Sequence, residues 1–438
     1  MKKYIYLITI AILMVAGCEK VLEVEPVNYI TDDEAIENKT DVERAIVGCY
    51  SGLQQTGCYG RHLPIIGDIT ADNLNWTGTT QDYGQFQNNT LLADNGIIES
   101  IWNAHYDLIN RVNWVIYKLP GIEGMSQQDR DDFYGHLYFI RALSHFNLVR
   151  YYGAIPVKTA PTLDLGTNLD VPRDDLDVVY AQILADLEAA EGNILNTNPG
   201  YATSGAVEAL MAEVYMFLED YNNAKIRSNN VISNYGYGLA DDFASLYNTV
   251  NEEAIFVLLY NAQDNNRLAE YYFPTIQGGR YEVSPSQDLI DAFDPQDLRL
   301  PASITGDPPF GIKYPDLSGG ANNVYVFRLA EMHLIRAEAE ARLNGSVSSI
   351  QYDINLLRLR ADLDDVTSTD YDELLDIIEQ ERRRELAFEG KRWFDLVRMG
   401  KAIEELETVT NQDQLLFPIP DAEIQSNSNP GMYQNPGY

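Results

Sequence analysis

The chain has few basic residues and few cysteines for its length. Its 438 residues include 31 Lys and Arg against 66 Asp and Glu, and only three Cys. The formal net charge at pH 7 is −35. Because nucleic acids are polyanions, this charge argues against DNA or RNA as a partner, and it mildly disfavours strongly anionic polysaccharides unless a local basic patch overrides the average. Neutral ligands are favoured.

Motifs that mark the common enzyme classes are missing from the sequence. The five His show no HExxH or other metal-ligand pairing, and neither a G-x-S-x-G elbow nor a P-loop occurs. Carboxylates are so abundant that some pair will always have glycosidase spacing, so their number is no evidence for hydrolysis. We therefore predict no catalytic residue, metal or cofactor. A calcium ion in the acidic loops stays open as an alternative, although no EF-hand spacing is present.

The apolar run at residues 4–15 is too short to cross a bilayer as a mature helix. It follows Lys2 and Lys3 and ends in Val-Ala-Gly before Cys18, which predicts a lipoprotein signal peptide at residues 1–17 and lipid attachment to Cys18. More than one hydrocarbon chain on that residue would anchor the protein stably to a membrane. The polar residues 18–30 are predicted to form an extended tether between the lipid anchor and the folded part of the chain.

Lipidation of Cys18 would leave an even pair of cysteines, Cys49 and Cys58. In an exported protein an even pair predicts a disulfide, and we expect one between them. Two separate buried thiols are the alternative.

Helical periodicity accounts for most of the remaining chain. Apolar spacing predicts helices over residues 97–119, 129–151 and 176–190. Residues 204–232 place Ala212, Tyr215, Tyr221 and Ala224 at the spacing of a tetratricopeptide hairpin, and similar pieces recur at 138–153 and 327–345. The fold class is therefore mainly α, a scaffold of tetratricopeptide-like helical hairpins with long loop insertions and minor β structure. We divide one globular unit into a helical region 31–236, a loop-rich insertion 237–323 and a helical region 324–438.

Two irregular segments carry the candidate ligand-binding residues. Residues 60–96 have no sustained period and combine aromatic rings with amides and a carboxylate, a mixture that can stack on a sugar face while hydrogen-bonding its hydroxyls. The second segment lies in the insertion, where aromatic residues precede and follow a Gly-Gly pair. The candidates are Asp72, Asn73, Trp76, Tyr83 and Phe86 in the first segment, and Tyr271, Tyr272, Arg280 and Tyr281 in the second. The competing interpretation is that these rings plug the underside of their own loops.

Residues 377–400 place charged side chains where a helix would normally carry apolar ones. Arg382, Glu385 and Glu389 continue the apolar stripe that Leu374 and Ile378 begin. A buried ion is costly unless it is paired, so we expect ion pairs with facing helices. Along the helix itself, we expect Glu379 to pair with Arg383 and Glu381 with Arg384.

This C-terminal stretch resembles the signature of the SusD/RagB family of surface nutrient-binding lipoproteins of Bacteroidota. The resemblance rests on residues 381–386 and 389–396, and it extends to 141–153, 289–299 and the Pro- and Asn-rich end at 418–438. It implies a helical fold on tetratricopeptide-like hairpins, a lipid anchor in the outer membrane facing the exterior, and work as the lid of a SusC-like TonB-dependent transporter. The family's ligand residues sit in variable loops, so none is carried over by motif.

The resemblance implies capture of an oligosaccharide, such as a starch-like or other glycan, without turnover and its delivery to the transporter. A peptide-binding member of the same family is the first alternative. A secreted glycoside hydrolase and a pure adaptor for another protein are the others.

Overall fold

Helices form most of the chain that the structure describes, as the periodicity predicts. The computed structural model describes residues 36–163, 169–247 and 249–438. The predicted signal peptide, the tether and Cys18 lie outside these residues. The first helices, in chain order, are α1 (Lys39–Leu53), α2 (His62–Ile69), α3 (Gln81–Gln87), α4 (Gly96–Lys118), α5 (Gln127–Tyr152), α6 (Leu176–Ala190), α7 (Ser204–Phe217) and α8 (Tyr221–Asn234). The others are α9 (Leu268–Tyr272), α10 (Gln287–Asp291), α11 (Arg299–Ser303), α12 (Leu329–Arg342), α13 (Val347–Arg360), α14 (Tyr371–Glu385), α15 (Arg392–Arg398), α16 (Ala402–Glu405) and α17 (Asp421–Ser426).

Strands are short and pair only in twos within the described residues. They are β1 (Leu74–Trp76), β2 (Ala254–Leu258), β3 (Val283–Pro285), β4 (Ile304–Thr305), β5 (Phe310–Gly311) and β6 (Val324–Arg328). The pairs are β1 with β3, β2 with β6 and β4 with β5, all antiparallel. The minor β structure therefore joins distant parts of the chain.

The predicted tetratricopeptide hairpin is confirmed. Helices α7 and α8 pack against each other, and Ala212 and Ala224 are fully buried. Small side chains at these positions allow two helices to approach closely. Helix α12 packs against α8 on one side and α13 on the other, so that two hairpins stack, and α5 packs with α6 in the same way. No helix in the described ranges is long and apolar enough to cross a bilayer.

The charged residues of α14, together with Glu389 in the turn after it, form the predicted ion-pair network. The Glu385 carboxylate lies 2.5 Å from Arg360, 2.6 Å from Arg328 and 3.2 Å from Arg299, and all four side chains are nearly or fully buried. Glu389 accepts hydrogen bonds from Arg328 and from Lys313 at 2.9 Å each. Each buried charge thus has partners on other elements, which is the condition for burying it.

One pairing within that helix differs from the prediction. Glu381 pairs with Arg384 at 2.8 Å as expected, but Arg383 turns to Asp288 at 2.6 Å and Glu379 pairs with Arg392. Partners on other elements replace the predicted pair of Glu379 and Arg383, because these side chains face the packed interior and not the helix surface.

The predicted disulfide between Cys49 and Cys58 is wrong. Both thiols are free and buried, so the alternative of two separate buried thiols holds. Cys49 lies on α1, whereas Cys58 lies in the turn that follows, where its Sγ is 3.8 Å from His105 on α4. Burial raises the pKa of Cys49 to about 12, which keeps this thiol protonated and unreactive.

Candidate functional site

The two segments predicted to bind ligand meet in one small sheet. Strands β1 and β3 pair antiparallel, with Leu74 opposite Pro285 and Trp76 opposite Val283. Beyond the strands, the backbone N–H groups of Thr77 and Gly78 both donate to the Glu282 carbonyl. Side chains far apart in sequence thereby share one surface.

The segment around Trp76 contains more regular structure than predicted. Residues 60–96 were expected to form one irregular loop, but α2, β1 and α3 all lie within them. Their shortness explains the missing period, because a strand of three residues or a helix of seven is too short to establish one. These short elements give the surface a rigid support.

Trp76 has a fixed position on this surface. Its backbone N–H donates to the Gln87 side-chain oxygen at 2.7 Å, and its ring lies against Gly84. A Cβ added at Gly84 would come within 2.8 Å of the Trp76 ring, so only glycine allows this contact. The ring packs against the core on one side and remains partly exposed.

Glu282 ties the two segments together electrostatically. Its buried carboxylate accepts hydrogen bonds from the backbone N–H groups of Thr79 and Thr80, at 2.9 and 3.0 Å, and from Arg280 at 3.1 Å. Burial alone would raise the pKa of Glu282, but these hydrogen bonds lower it below its ordinary value. The carboxylate is therefore ionised at neutral pH and holds the loop at residues 77–80.

Three arginines surround the ring of Tyr271, and we refer to Arg61, Arg267 and Arg280 as the arginine cluster. Their guanidinium carbons lie 4.6, 5.6 and 5.3 Å from the ring centroid. Arg61 also donates to the Tyr271 hydroxyl at 2.6 Å. Guanidinium groups at this distance from an aromatic ring are attracted to its electron-rich face.

Tyr281 completes the surface. It has a φ of +52°, which is unusual for a residue with a side chain, and its hydroxyl donates to the Pro309 carbonyl at 2.9 Å. Its ring is partly exposed. The loop before it is tied down by hydrogen bonds from the backbone N–H groups of Arg280 and Tyr281 to the carbonyls of Glu270 and Phe273.

Most of the other predicted ligand residues belong to the core or to ion pairs. Asn73, Tyr83, Phe86, Tyr271 and Tyr272 are buried and offer no free face to a ligand. Phe86, for example, packs edge-on against Phe417 at 5.3 Å. These rings fill the space beneath their own loops, so for them the alternative to ligand binding that the sequence left open is the correct one.

Asp72 is also engaged, because its two carboxylate oxygens accept hydrogen bonds from Arg392 at 2.7 and 2.8 Å. Of the predicted set, Trp76, Arg280 and Tyr281 remain accessible. The sequence interpretation missed Arg61 and Arg267, whose only signal was a basic residue within or beside the candidate segments.

Several cavities lie elsewhere on the described chain, and two of them are alternative places for a ligand. One, of about 240 Å³, opens beside α4 and is lined by Trp102, Tyr106 and Asp107 among others. Trp102 is almost fully buried there and donates to Glu423 at 3.3 Å. The other, of about 640 Å³, is a cleft between α8, α12 and α13 lined mainly by polar side chains. Neither presents a tryptophan face to solvent.

The carboxylates at this surface, Glu270 and Glu282, are paired with Arg267 and Arg280. Asp68 is a carboxyl with a strongly raised pKa, about 7 because of burial, but it is fully enclosed and hydrogen-bonded to Asn73 at 2.9 Å. Within the described ranges, no group of three or more His, Cys, Asp or Glu is placed to hold a metal ion. The arrangement is suited to stacking and hydrogen bonding.

Comparisons with known proteins agree on one family. Residues 313–409 match the profile of the SusD family, and residues 20–216 match a profile described as starch-binding associating with outer membrane. SusD-like protein P38 of Formosa agariphila is 27% identical over 94% of this chain and 95% of its own length. Starch-binding protein SusD of Bacteroides thetaiotaomicron is 35% identical, but over only 30% of this chain and 24% of its own.

Solved structures give the same result for the fold. A laminarin-binding SusD-like protein has a TM-score of 0.81 and 26% identity, with 92% of this chain and all of that chain covered. A SusD superfamily protein of Bacteroides vulgatus has a TM-score of 0.84 at 22% identity, with 92% and 99% covered.

Proposed function

Since the chain belongs to the SusD/RagB family, we propose that it binds a glycan, without altering it, at the surface formed by Trp76, Tyr281 and the arginine cluster. The observation that carries this proposal is the pairing of β1 with β3, which brings the two candidate segments together. A site assembled from rigidly supported loops is the common arrangement for ligand binding.

The chemistry of the surface suits a sugar. A pyranose ring has apolar C–H faces and a polar rim, so it needs a flat aromatic face beside hydrogen-bonding groups. Trp76 supplies a partly exposed ring whose orientation is fixed by Gly84, and Asn75 and Gln87 lie next to it. A ring held in one position loses little conformational entropy on binding.

Binding without turnover is supported by the state of the nearby carboxylates. Glu282 is engaged by Thr79, Thr80 and Arg280, and Glu270 by Arg267. The hydrogen bond from Arg267 lowers the pKa of Glu270, and the pKa of Glu282 is lowered as well. A general acid for glycoside hydrolysis requires a raised pKa, which neither group has.

We further propose that the protein is anchored to the outer membrane, facing the exterior, by a lipid on Cys18 and delivers its ligand to a TonB-dependent transporter. The lipobox-like sequence before Cys18 and the family description that mentions the outer membrane support the anchor. The transporter rests on the family resemblance alone. Labelled palmitate should be incorporated into the wild type and not into Cys18→Ala, and a transporter of the outer membrane should co-purify with the wild type from detergent extracts.

Isothermal titration against a panel of glycans and peptides tests the binding function. The panel contains laminarin and starch oligosaccharides, acidic oligosaccharides and a tryptic peptide mixture. We expect at least one glycan to bind and Trp76→Ala to weaken that binding about tenfold, taking as a guide the roughly 1–3 kcal/mol that stacking of a nucleobase on an aromatic side chain contributes. The matched control is Trp114→Ala, which removes a half-buried tryptophan that packs against Tyr117 on α4.

Three results would contradict the proposal. Binding of peptides in place of glycans would identify the alternative ligand class. Release of shortened sugar by the purified protein would show an enzyme. Equal affinities for Trp76→Ala and Trp114→Ala would remove the proposed site.

A further inference from the structure

The arginine cluster contains one more positive charge than its immediate carboxylates neutralise. Arg267 pairs with Glu270, and Arg280 pairs with Glu282 at 3.1 Å. Arg61 has no carboxylate within ion-pair distance among residues 36–163, 169–247 and 249–438. Three guanidinium groups therefore stand against two carboxylates around Tyr271. This local excess is notable in a chain whose net charge is −35.

Arg61 is held in place but not fully satisfied. Its Nη1 donates to the Tyr271 hydroxyl, and its Nη2 lies 3.2 Å from Nε2 of His62. Burial, together with the charge of Arg61, keeps the pKa of His62 well below its ordinary value, so His62 is neutral. The buried Nε of Arg61 has no hydrogen-bond partner. Other arginines with an unpaired N–H, such as Arg360 and Arg382, have a carboxylate partner, whereas Arg61 has none in the described ranges.

A second unsatisfied group borders the same ring. The Tyr83 hydroxyl is buried without a hydrogen-bond partner, and the Tyr83 ring packs edge-on against Tyr271 at 5.9 Å. Each unsatisfied buried polar group destabilises the fold, because it has lost its hydrogen bonds to water without replacing them. Two such groups beside one ring, one of them on the arginine that has no carboxylate partner, are an arrangement that folding alone does not favour.

The cluster adjoins the proposed sugar-stacking ring. Tyr83 contacts Tyr271, and the next residue, Gly84, lies against Trp76. Arg267 and Arg280 expose 45% and 40% of their side chains, so the cluster is open to solvent. A sugar stacked on Trp76 would place its substituents near these guanidinium groups.

We propose that the glycan bound at this surface carries an anionic substituent, a carboxylate or a sulfate ester, which the arginine cluster recognises. This inference rests on the proposed function and names its ligand class. Planar guanidinium groups bind both anions through paired hydrogen bonds, whereas a neutral sugar would leave the excess charge unmatched. The acidity of the whole chain opposes this only weakly, because distant charges are screened over about 8 Å at physiological ionic strength.

Titration of three tetrasaccharides tests the inference. Tetragalacturonate carries carboxylates, a ι-carrageenan tetrasaccharide carries sulfates, and laminaritetraose is neutral. We expect one of the two acidic sugars to bind about tenfold more tightly than laminaritetraose, because a hydrogen bond between charged groups is about twice as strong as one between neutral groups. The acidic sugar that binds more tightly distinguishes a carboxylate ligand from a sulfated one. The preference should shrink at high salt.

Variants separate recognition of the anion from binding of the sugar. Arg280→Gln should lower the affinity for the acidic sugar about tenfold more than the affinity for laminaritetraose, and Arg280→Lys should recover part of that difference. Arg111→Gln, which removes an exposed arginine on α4, is the control and should behave as the wild type.

The outcomes that overturn the inference differ from those that overturn the proposed function. Laminaritetraose binding as tightly as both acidic sugars, or Arg280→Gln reducing the affinity for all three sugars equally, would refute recognition of an anion and leave glycan binding intact. If no glycan in either panel binds, both proposals fail.

Discussion

Removing Arg328 should destabilise the fold more than removing any exposed arginine. Arg328 is 1% exposed and contacts three carboxylates, with Nη1 at 2.8 Å from Glu253 and 2.6 Å from Glu385, and Nε at 2.9 Å from Glu389. In Arg328→Met these carboxylates stay buried and lose one partner each. Breaking a buried ion pair from one side costs roughly 3–5 kcal/mol, because the remaining charge is left uncompensated.

That loss is large against the roughly 5–15 kcal/mol by which folded proteins are usually stable. Urea unfolding followed by circular dichroism measures it. The matched control is Arg44→Met, since Arg44 is 77% exposed on the side chain and pairs with Asp41 at 3.5 Å. An exposed pair contributes about 0–1 kcal/mol, so the control should unfold almost as the wild type does. Equal free energies of unfolding for the two variants would refute the reasoning.

Three further predictions follow from individual contacts. Gly84→Val should weaken glycan binding without unfolding the protein, because its side chain must displace the ring of Trp76; titration against Gly48→Ala, where a Cβ meets nothing within 4 Å, checks this. Cys49 and Cys58 should react with a thiol reagent only in urea. In a recombinant chain from which Cys18 has been removed, the reagent should then count two reactive thiols. Burial would raise the pKa of Glu389, but the nearby Arg328 and Lys313 lower it to about 2. Acid should therefore reduce the free energy of unfolding of the wild type, whereas Glu389→Gln lacks this contribution at every pH.

The sign and size of the pH effect follow from linkage. A carboxyl with an unfolded pKa of 4.5 and a folded pKa of about 2 stabilises the fold above pH 4.5, by about 3 kcal/mol, and this contribution falls as the pH drops towards 2. The difference in unfolding free energy between wild type and Glu389→Gln should therefore shrink over that window. A difference that stays constant with pH would contradict the lowered pKa of Glu389. A failure to detect thiols in urea would contradict the prediction for the cysteines, and an unaltered glycan affinity in Gly84→Val would contradict the prediction for Gly84.

The sequence predicted which charged side chains of α14 and of the turn after it would need partners, but not which partners they would find. Arg382, Glu385 and Glu389 stood out because a charge on an apolar stripe must be compensated. Their partners, such as Arg299 and Arg328, lie on distant elements that are brought close only by the complete fold. The same long-range contacts displaced the local pairing expected for Glu379 and Arg383.

The candidate site, too, could be predicted only in part from the sequence. Composition singled out both candidate segments, because irregular segments that carry aromatic and amide side chains on a rigid scaffold commonly bind ligands. Composition could not decide which rings face inward, and Tyr83, Phe86 and Tyr272 are buried. The pairing of β1 with β3 was also out of reach, since three-residue strands carry almost no sequence signal.

A crystal structure of the protein soaked with the tightest-binding oligosaccharide of the panel tests the central claim most directly. We predict electron density for a sugar ring stacked on Trp76, with its substituents within hydrogen-bond distance of Tyr281 or the arginine cluster. Density for the sugar in the cavity beside Trp102, or in the cleft between α8 and α13, with the Trp76 surface empty, would contradict the account.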